Sequence, residues 1–334
     1  MKKLIYLSVA LVFTIYALHF FGVRTVAAQE QYKIVYGGAS PVDTTFSKSQ
    51  VIFKETVEKL SKGRIKVDLF FAGQLGKYTE QLEAVKLGTQ TMYHGTSSYV
   101  VSYAPKLGVL NLPFLFKSRD QVFKLMDGPL GEELNTEMGK AGVIAFDVLD
   151  FGSRNISNSV RPIYTPEDLK GIKIRIMPNE VHLKTFRELG ATPTPMDGSE
   201  VYSALKQGVI DAQENPLAVI LRWKFYEAAK YISLTGHFYD MMQVWMNKPF
   251  YDKLPKDLQE VVRTGYREAA QYQRKAQFED DEYARKKLEE LGLKFNSLTD
   301  QQRALFRDKT RPVYDWLAEK IGKDIVTKWV DATK

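Results

Sequence analysis

Three polar residues stand out for the chemistry they could share: Arg154, Arg175 and Asn215. A guanidinium presents a planar fork that matches a carboxylate through two parallel, charge-assisted hydrogen bonds. A side-chain amide can fill the acceptor sites that remain. Burying an anion without such partners is very costly, so a receptor for a small acid needs little beyond this set. Losing the buried arginine would weaken binding by about 2–5 kcal/mol, partly because the anion is left unpaired. On spacing alone, plainer roles are commoner: a surface position for Arg175, a salt bridge to Glu or Asp for Arg154, and a turn before Pro216 for Asn215.

Catalytic signatures are missing. The chain has no phosphate-binding loop with Gly-Lys-Ser/Thr, no dinucleotide-type glycine triplet after a strand and no Gly-x-Ser-x-Gly elbow. The four histidines (His19, His94, His182, His237) never fall at paired metal-ligand spacing. His182 reads as a helix-surface residue, and His94 and His237 as packing or hydrogen-bonding residues at strand or loop ends. Asp280-Asp281-Glu282 reads as the solvated face of a charged helix. No cofactor is called for. Catalytic partners can lie far apart in a chain, so a secreted α/β enzyme acting on a small organic acid stays open as the second reading.

Composition sets outer limits. At 334 residues the chain is long enough for two domains, each with a core of its own. Lys2-Lys3, an apolar run from Leu4 to about Val23, and small residues at Val26-Ala27-Ala28 form a secretory signal pattern, so 1–28 is set aside from the fold. An uncleaved anchor is the rival, since about 20 apolar residues can span a bilayer. With 47 Lys+Arg against 40 Asp+Glu the net charge is +7, or +4 without the three bases of 1–28. No basic run of the nucleic-acid type is present. The complete lack of cysteine excludes structural disulfides and a thiol nucleophile. An exported, periplasmic, soluble monomer is expected.

The elements that must carry these residues alternate. Strands are expected at Tyr32–Tyr36, Arg64–Phe71, Thr91–Ser97 and Val143–Val148, after which the chain passes into Asn155–Val160, and helices at Thr44–Lys62, Thr79–Leu87 and around Asp120–Gly139. That order implies a mainly parallel α/β sheet with right-handed crossovers. Ile172, Ile174 and Ile176 alternate with Lys173 and Arg175, so Arg175 projects from the face opposite the isoleucines just before Pro178 stops the strand. Open α/β sheets bind ligands beyond such strand ends. Asn179 caps a helix to Leu189, and Asp197-Gly198-Ser199-Glu200 opens another to Gln207. A strand Val209–Ala212 then delivers Gln213, Glu214 and Asn215 to a loop. Pro255–Leu291 is one helical pattern broken only at Gly265, followed by helical segments near Thr299–Arg307 and Val313–Ala332.

Taken together, Gly152-Ser153-Arg154, Thr165-Pro166-Glu167-Asp168-Leu169-Lys170-Gly171-Ile172-Lys173-Ile174-Arg175, Gly190 to Met196, Glu200 to Leu205 and Asp211-Ala212-Gln213-Glu214-Asn215-Pro216 make a specific string. Gln74-Leu75-Gly76, Leu112 to Phe116 and Lys224 to Glu227 support it. The string resembles the solute-binding (DctP) family of TRAP transporters, the tripartite ATP-independent periplasmic systems, over essentially the whole chain after residue 28. The resemblance implies a periplasmic-binding-protein-like α/β fold of two lobes with a hinge and a long helix spanning both. Lobe I would comprise 29–151 plus about 241–280, and lobe II 152–240 plus about 281–334. It implies capture of a small organic acid and delivery to a TRAP membrane permease driven by an ion gradient. In that family the arginine standing here as Arg175 grips the ligand carboxylate, and those at Arg154 and Asn215 assist. Tyr78 and Thr96 occupy positions that vary with ligand and do not match sialic-acid receptors. Asp150, Tyr239 and Gly198 would give room and hydrogen bonds to a hydroxylated sugar acid such as a uronate or aldonate, with C4-dicarboxylates also open. Met196 is followed by Asp197-Gly198, where many relatives carry proline and a bulky apolar residue.

Overall fold

The computed structural model describes residues 30–334, so the segment 1–28 lies outside the described residues. Ten strands form one continuous sheet in the order β2-β1-β3-β9-β5-β8-β6-β7, with β4 and β10 also pairing with β9. The strands are β1 (Tyr32–Gly37), β2 (Ile65–Phe70), β3 (Met92–Thr96), β4 (Val143–Ala145), β5 (Leu149–Asn158), β6 (Lys173–Ile176), β7 (Thr192–Pro195), β8 (Ala212–Asn215), β9 (Tyr231–Asn247) and β10 (Lys294–Ser297). At one end β2, β1 and β3 run parallel. At the other β8, β6 and β7 do the same. Each set, with its helices, makes one lobe. Both outer strands are short, and Pro193 and Pro195 blunt the β7 edge, where no backbone donor is needed.

Two long antiparallel strands tie the lobes together. β5 pairs with β9 from Leu149↔Met242 to Asn158↔Tyr231, with bulges after Asp150 and after Arg154. The far half of β9 continues into the first lobe, where Met242 to Met246 pair with β3. Sequence reading missed β9, and the reason is physical. From Asp240 onward the strand is buried on both faces, so its apolar run carries no polar alternation. It also makes the sheet mixed rather than purely parallel.

The helix Lys256–Glu290 runs unbroken through Gly265 for 35 residues, about 50 Å at 1.5 Å per residue. It packs on helix Thr45–Leu60 of the first lobe and on helix Leu217–Arg222 of the second. Gly265 is no stop: a Cβ there would come within 2.6 Å of Val57 Cγ2, so the glycine allows the close approach of helix Thr45–Leu60. Gln273 on this helix accepts from the Asp150 N–H and donates to the Asp150 carbonyl, both at 2.8 Å, gripping the hinge backbone at one residue. Helix Asp300–Ile321 likewise continues through Pro312 because Val313 and Leu317 are buried beyond it. The last helix, Lys323–Ala332, seats Ile325, Val326 and Trp329 in the cluster holding Leu107 and Leu134, on the first-lobe side.

Asp280 and Asp281 do not face water as the charged helix suggested. Asp280 pairs with Arg222. Asp281 accepts from the Ala218 N–H at 3.0 Å, and burial pushes its carboxyl up to about 8.

Candidate functional site

β6 and β8 are parallel neighbours, with Arg175 opposite Gln213. Ile174 and Ile176 point into the second-lobe core with Ile156, Phe186 and Phe306. The pleat therefore turns Arg175 to the other face, where it is 2% exposed. Its Nε and Nη2 donate to the Met196 carbonyl at 2.9 and 2.6 Å. Among the described residues no carboxylate lies within ion-pair distance of it. A guanidinium held on a neutral carbonyl keeps its full charge and its remaining N–H groups for something else.

That something else faces a cavity between the lobes. Tyr78, Thr96 and Tyr99 of the first lobe, Phe151 and Met242 of the joining strands, and Arg175, Met177, Gly198, Asn215, Val219, Trp223 and Phe225 of the second lobe line it. Its volume is about 30 Å³, so the two lobes stand close together around it. Contacts across the lobes hold them there. Gly198 N–H donates to the Tyr99 hydroxyl at 3.3 Å, Thr96 Oγ1 meets Met177 Sδ, and Lys77 pairs with Glu200 at 2.9 Å. The rings of Tyr78 and Tyr99 stack at 5.0 Å. Asn215 gives one amide N–H to Gln213 Oε1 at 2.5 Å and keeps its carbonyl and second N–H.

Arg154 is placed differently. It is fully buried under the joining strands, outside the cavity lining. Its Nε and Nη2 fork onto the two oxygens of Glu214, and Nη1 reaches Asp240 at 3.2 Å. Burial would raise the Glu214 carboxyl, but Arg154 and a hydrogen bond from His237 outweigh it and hold the group well below the usual carboxylate range. For Asp240 burial wins over Arg154 and raises the carboxyl to about 6. This cluster knits β5, β8 and β9, the plainer role open to Arg154 from its sequence.

Asp150 and Tyr239 also stand outside the lining. The Tyr239 hydroxyl donates to Asp150 at 2.7 Å, and Arg119 Nε holds the other carboxylate oxygen. They brace helix Arg119–Met126 against the hinge. Of the residues singled out from sequence, Arg175, Asn215, Tyr78 and Thr96 come together on one cavity, and Arg154, Asp150 and Tyr239 do not join them.

A sequence model of the family described as "Bacterial extracellular solute-binding protein, family 7" (DctP) matches residues 37–321. The chain belongs to that family. Among relatives of this solute-binding family, the 2,3-diketo-L-gulonate-binding periplasmic protein of Escherichia coli is 34% identical, over 77% of each chain. A TRAP periplasmic solute-binding protein of Sulfurospirillum deleyianum, solved with bound succinate, is 34% identical with a TM-score of 0.86, covering 91% of this chain and 100% of that one. The sugar acid binding protein of Advenella mimigardefordensis, solved with galactonate, is 33% identical with a TM-score of 0.88, covering 91% and 98%. The two-lobed α/β fold expected from the sequence is thus that of the family.

This member's site holds residues that sequence reasoning passed over. Tyr99, Val219, Trp223 and Met242 carried no signal, because an apolar cavity wall has the same residue types as a core. Phe225 figured only within a matching string. His182 is a correction: it is 1% exposed, stacks on Phe238 at 4.1 Å and meets Asn111 Oδ1 at 3.1 Å. Burial lowers it to about 3, so it is a neutral packing residue.

Proposed function

We propose that this solute-binding protein captures a small organic acid, a sugar acid or a C4-dicarboxylate, between its lobes in the periplasm and hands it to a TRAP-type membrane permease. One observation carries the reading: Arg175 is enclosed at the interlobe cavity with a neutral carbonyl as partner and, among the described residues, no acid within ion-pair distance. Met196 fixes the fork, leaving Nη1 and part of Nη2 for the two oxygens of a carboxylate. Asn215 supplies a further donor from the neighbouring strand. Tyr78 and Thr96 complete the wall from the other lobe. Arg154 acts through the hinge rather than on the ligand. The succinate and galactonate bound by structural relatives fit this chemistry.

A thermal-shift panel of dicarboxylates, hydroxy and keto acids, uronates and aldonates tests it. At least one acid raises the melting temperature of the parent, by about 2.7 kcal/mol of stability at a hundredfold excess over Kd. Arg175→Ala stays folded and loses that response. A variant responding as well as its parent would refute the anchor.

A further inference from the structure

Gly198 lines the interlobe cavity from the second lobe, and its backbone does not call for a glycine. Its φ is not positive, unlike that of Gly190 or Gly208 in the same lobe. Crowding does not call for one either. Gly38 and Gly95 are different, since a Cβ there would come within 2.2 Å of the His94 ring and 2.1 Å of the Tyr93 hydroxyl. A Cβ on Gly198 would have as nearest neighbours Tyr78 Cε2 at 3.5 Å, the Tyr99 hydroxyl at 3.7 Å and Arg175 Nη2 at 3.9 Å, all ordinary contact distances. The absent side chain therefore leaves a spot of methyl or hydroxyl size, bordered by the guanidinium and two tyrosines.

That spot lies where the first atoms of a bound acid would come. A carboxylate oxygen held by Nη2 stands about 2.8 Å from it. The carbon beside the carboxylate and its substituent follow within two or three covalent bonds of about 1.2–1.5 Å, a range that includes the spot. Tyr99 lines the cavity too, from the opposite lobe. Its hydroxyl oxygen accepts from the Gly198 N–H at 3.3 Å, and among the described residues no acceptor takes its O–H proton. An oxygen atom in the spot would need to approach Tyr99 by only about 1 Å to reach the usual O–H···O separation. A bare methylene there leaves that proton without a partner.

We infer that Gly198 and Tyr99 form a specificity-determining subsite for an oxygen on the carbon next to the ligand's carboxylate. This rests on Arg175 holding that carboxylate. Gly198 supplies the room and Tyr99 the donor, one from each lobe. The subsite favours 2-hydroxy acids over acids with a plain methylene at that carbon. Aldonates and malate carry such an oxygen, and succinate does not. Any side chain at 198 would occupy the subsite itself, so the preference depends on the glycine as much as on the hydroxyl.

Calorimetric titration of the whole protein with matched acids tests this: D-gluconate against 2-deoxy-D-gluconate, malate against succinate, and lactate against propionate. The readout is the affinity ratio within whichever pair binds most tightly. The parent favours the 2-hydroxy member about fivefold or more, the ordinary worth of a hydrogen bond. Gly198→Ala puts a methyl group in the spot and brings the ratio to about one, through weaker binding of the hydroxylated member. Tyr99→Phe keeps the ring stacked on Tyr78, removes only the donor, and lowers the ratio in the same direction. A parent that does not favour the 2-hydroxy member overturns the inference, and that arm requires no substitution. So does a ratio unchanged from the parent's in either variant. In these cases loss of binding in Arg175→Ala keeps the carboxylate reading standing. If no acid binds the parent, or Arg175→Ala binds as the parent does, both readings fall together.

Discussion

Two buried arginines separate the working parts of this molecule. Arg154 has two carboxylates on its guanidinium and joins three strands. Arg175, one strand beyond β8 on β6, has a single backbone carbonyl. Both are nearly inaccessible, so burial does not distinguish them. What differs is whether the charge is already answered. A satisfied buried charge is architecture; an unsatisfied one at a cavity is an invitation to an anion.

The largest expected effect probes the answered charge. Arg154→Met leaves Glu214 buried without its cation, and should lower stability by about 3–5 kcal/mol, read as a fall in the urea midpoint. Adding Glu214→Met should restore part of that loss, since an apolar pair replaces the ion pair. No recovery would mean that Arg154 does more than balance Glu214. Arg175→Ala should reverse the pattern. Binding of the best carboxylate weakens by about 2–5 kcal/mol while the urea midpoint moves far less. If the two variants lose equal stability, the distinction collapses.

A smaller effect titrates the hinge cluster. The folded Asp240 carboxyl, raised by burial to about 6, exceeds its ordinary value of 3.8. Its contribution to stability is therefore greatest below about pH 4 and is lost as pH climbs through 6. Asp240→Asn should remove this slope, so the variant gains on the parent by on the order of 2 kcal/mol between pH 4 and 7. Denaturant curves across that range check it, and parallel pH profiles would contradict it. The smallest effect lies at the cleft mouth. Lys77 and Glu200 form an exposed pair across the lobes, so water screens it and its contribution is small. Lys77→Met should speed ligand release about fivefold at most, and the difference should vanish in 1 M salt, where charges are screened within roughly 3 Å.

Much of the molecule was legible beforehand where one local rule decided the outcome. Isoleucine alternation and Pro178 placed Arg175 on the open face of a strand end, and Asn179 caps its helix through the Val181 and His182 N–H groups. The long helix was legible as well. Its glycine misled because the reason for Gly265 lies in Val57, some two hundred residues away. The same holds for Asp281, whose partner at Ala218 is tertiary, and for His182, polar by type yet packed on Phe238. Gln213 to Asn215 were expected in a loop, but belong to β8, because pairing with Asn155 to Ser157 overrides the turn signal of Pro216. Nothing local reveals that Arg154 will meet Glu214.

The narrow cavity has a kinetic consequence. With only about 30 Å³ between the lobes as they stand, an organic acid has room there only when they move apart. Cargo boards and leaves only while the lobes are apart. The residence time of a bound acid is therefore bounded by how often the hinge opens, however well the guanidinium holds it. Any acceptor taking cargo from this protein must supply the work of prising the lobes open, and each added contact across the cleft makes that handover slower.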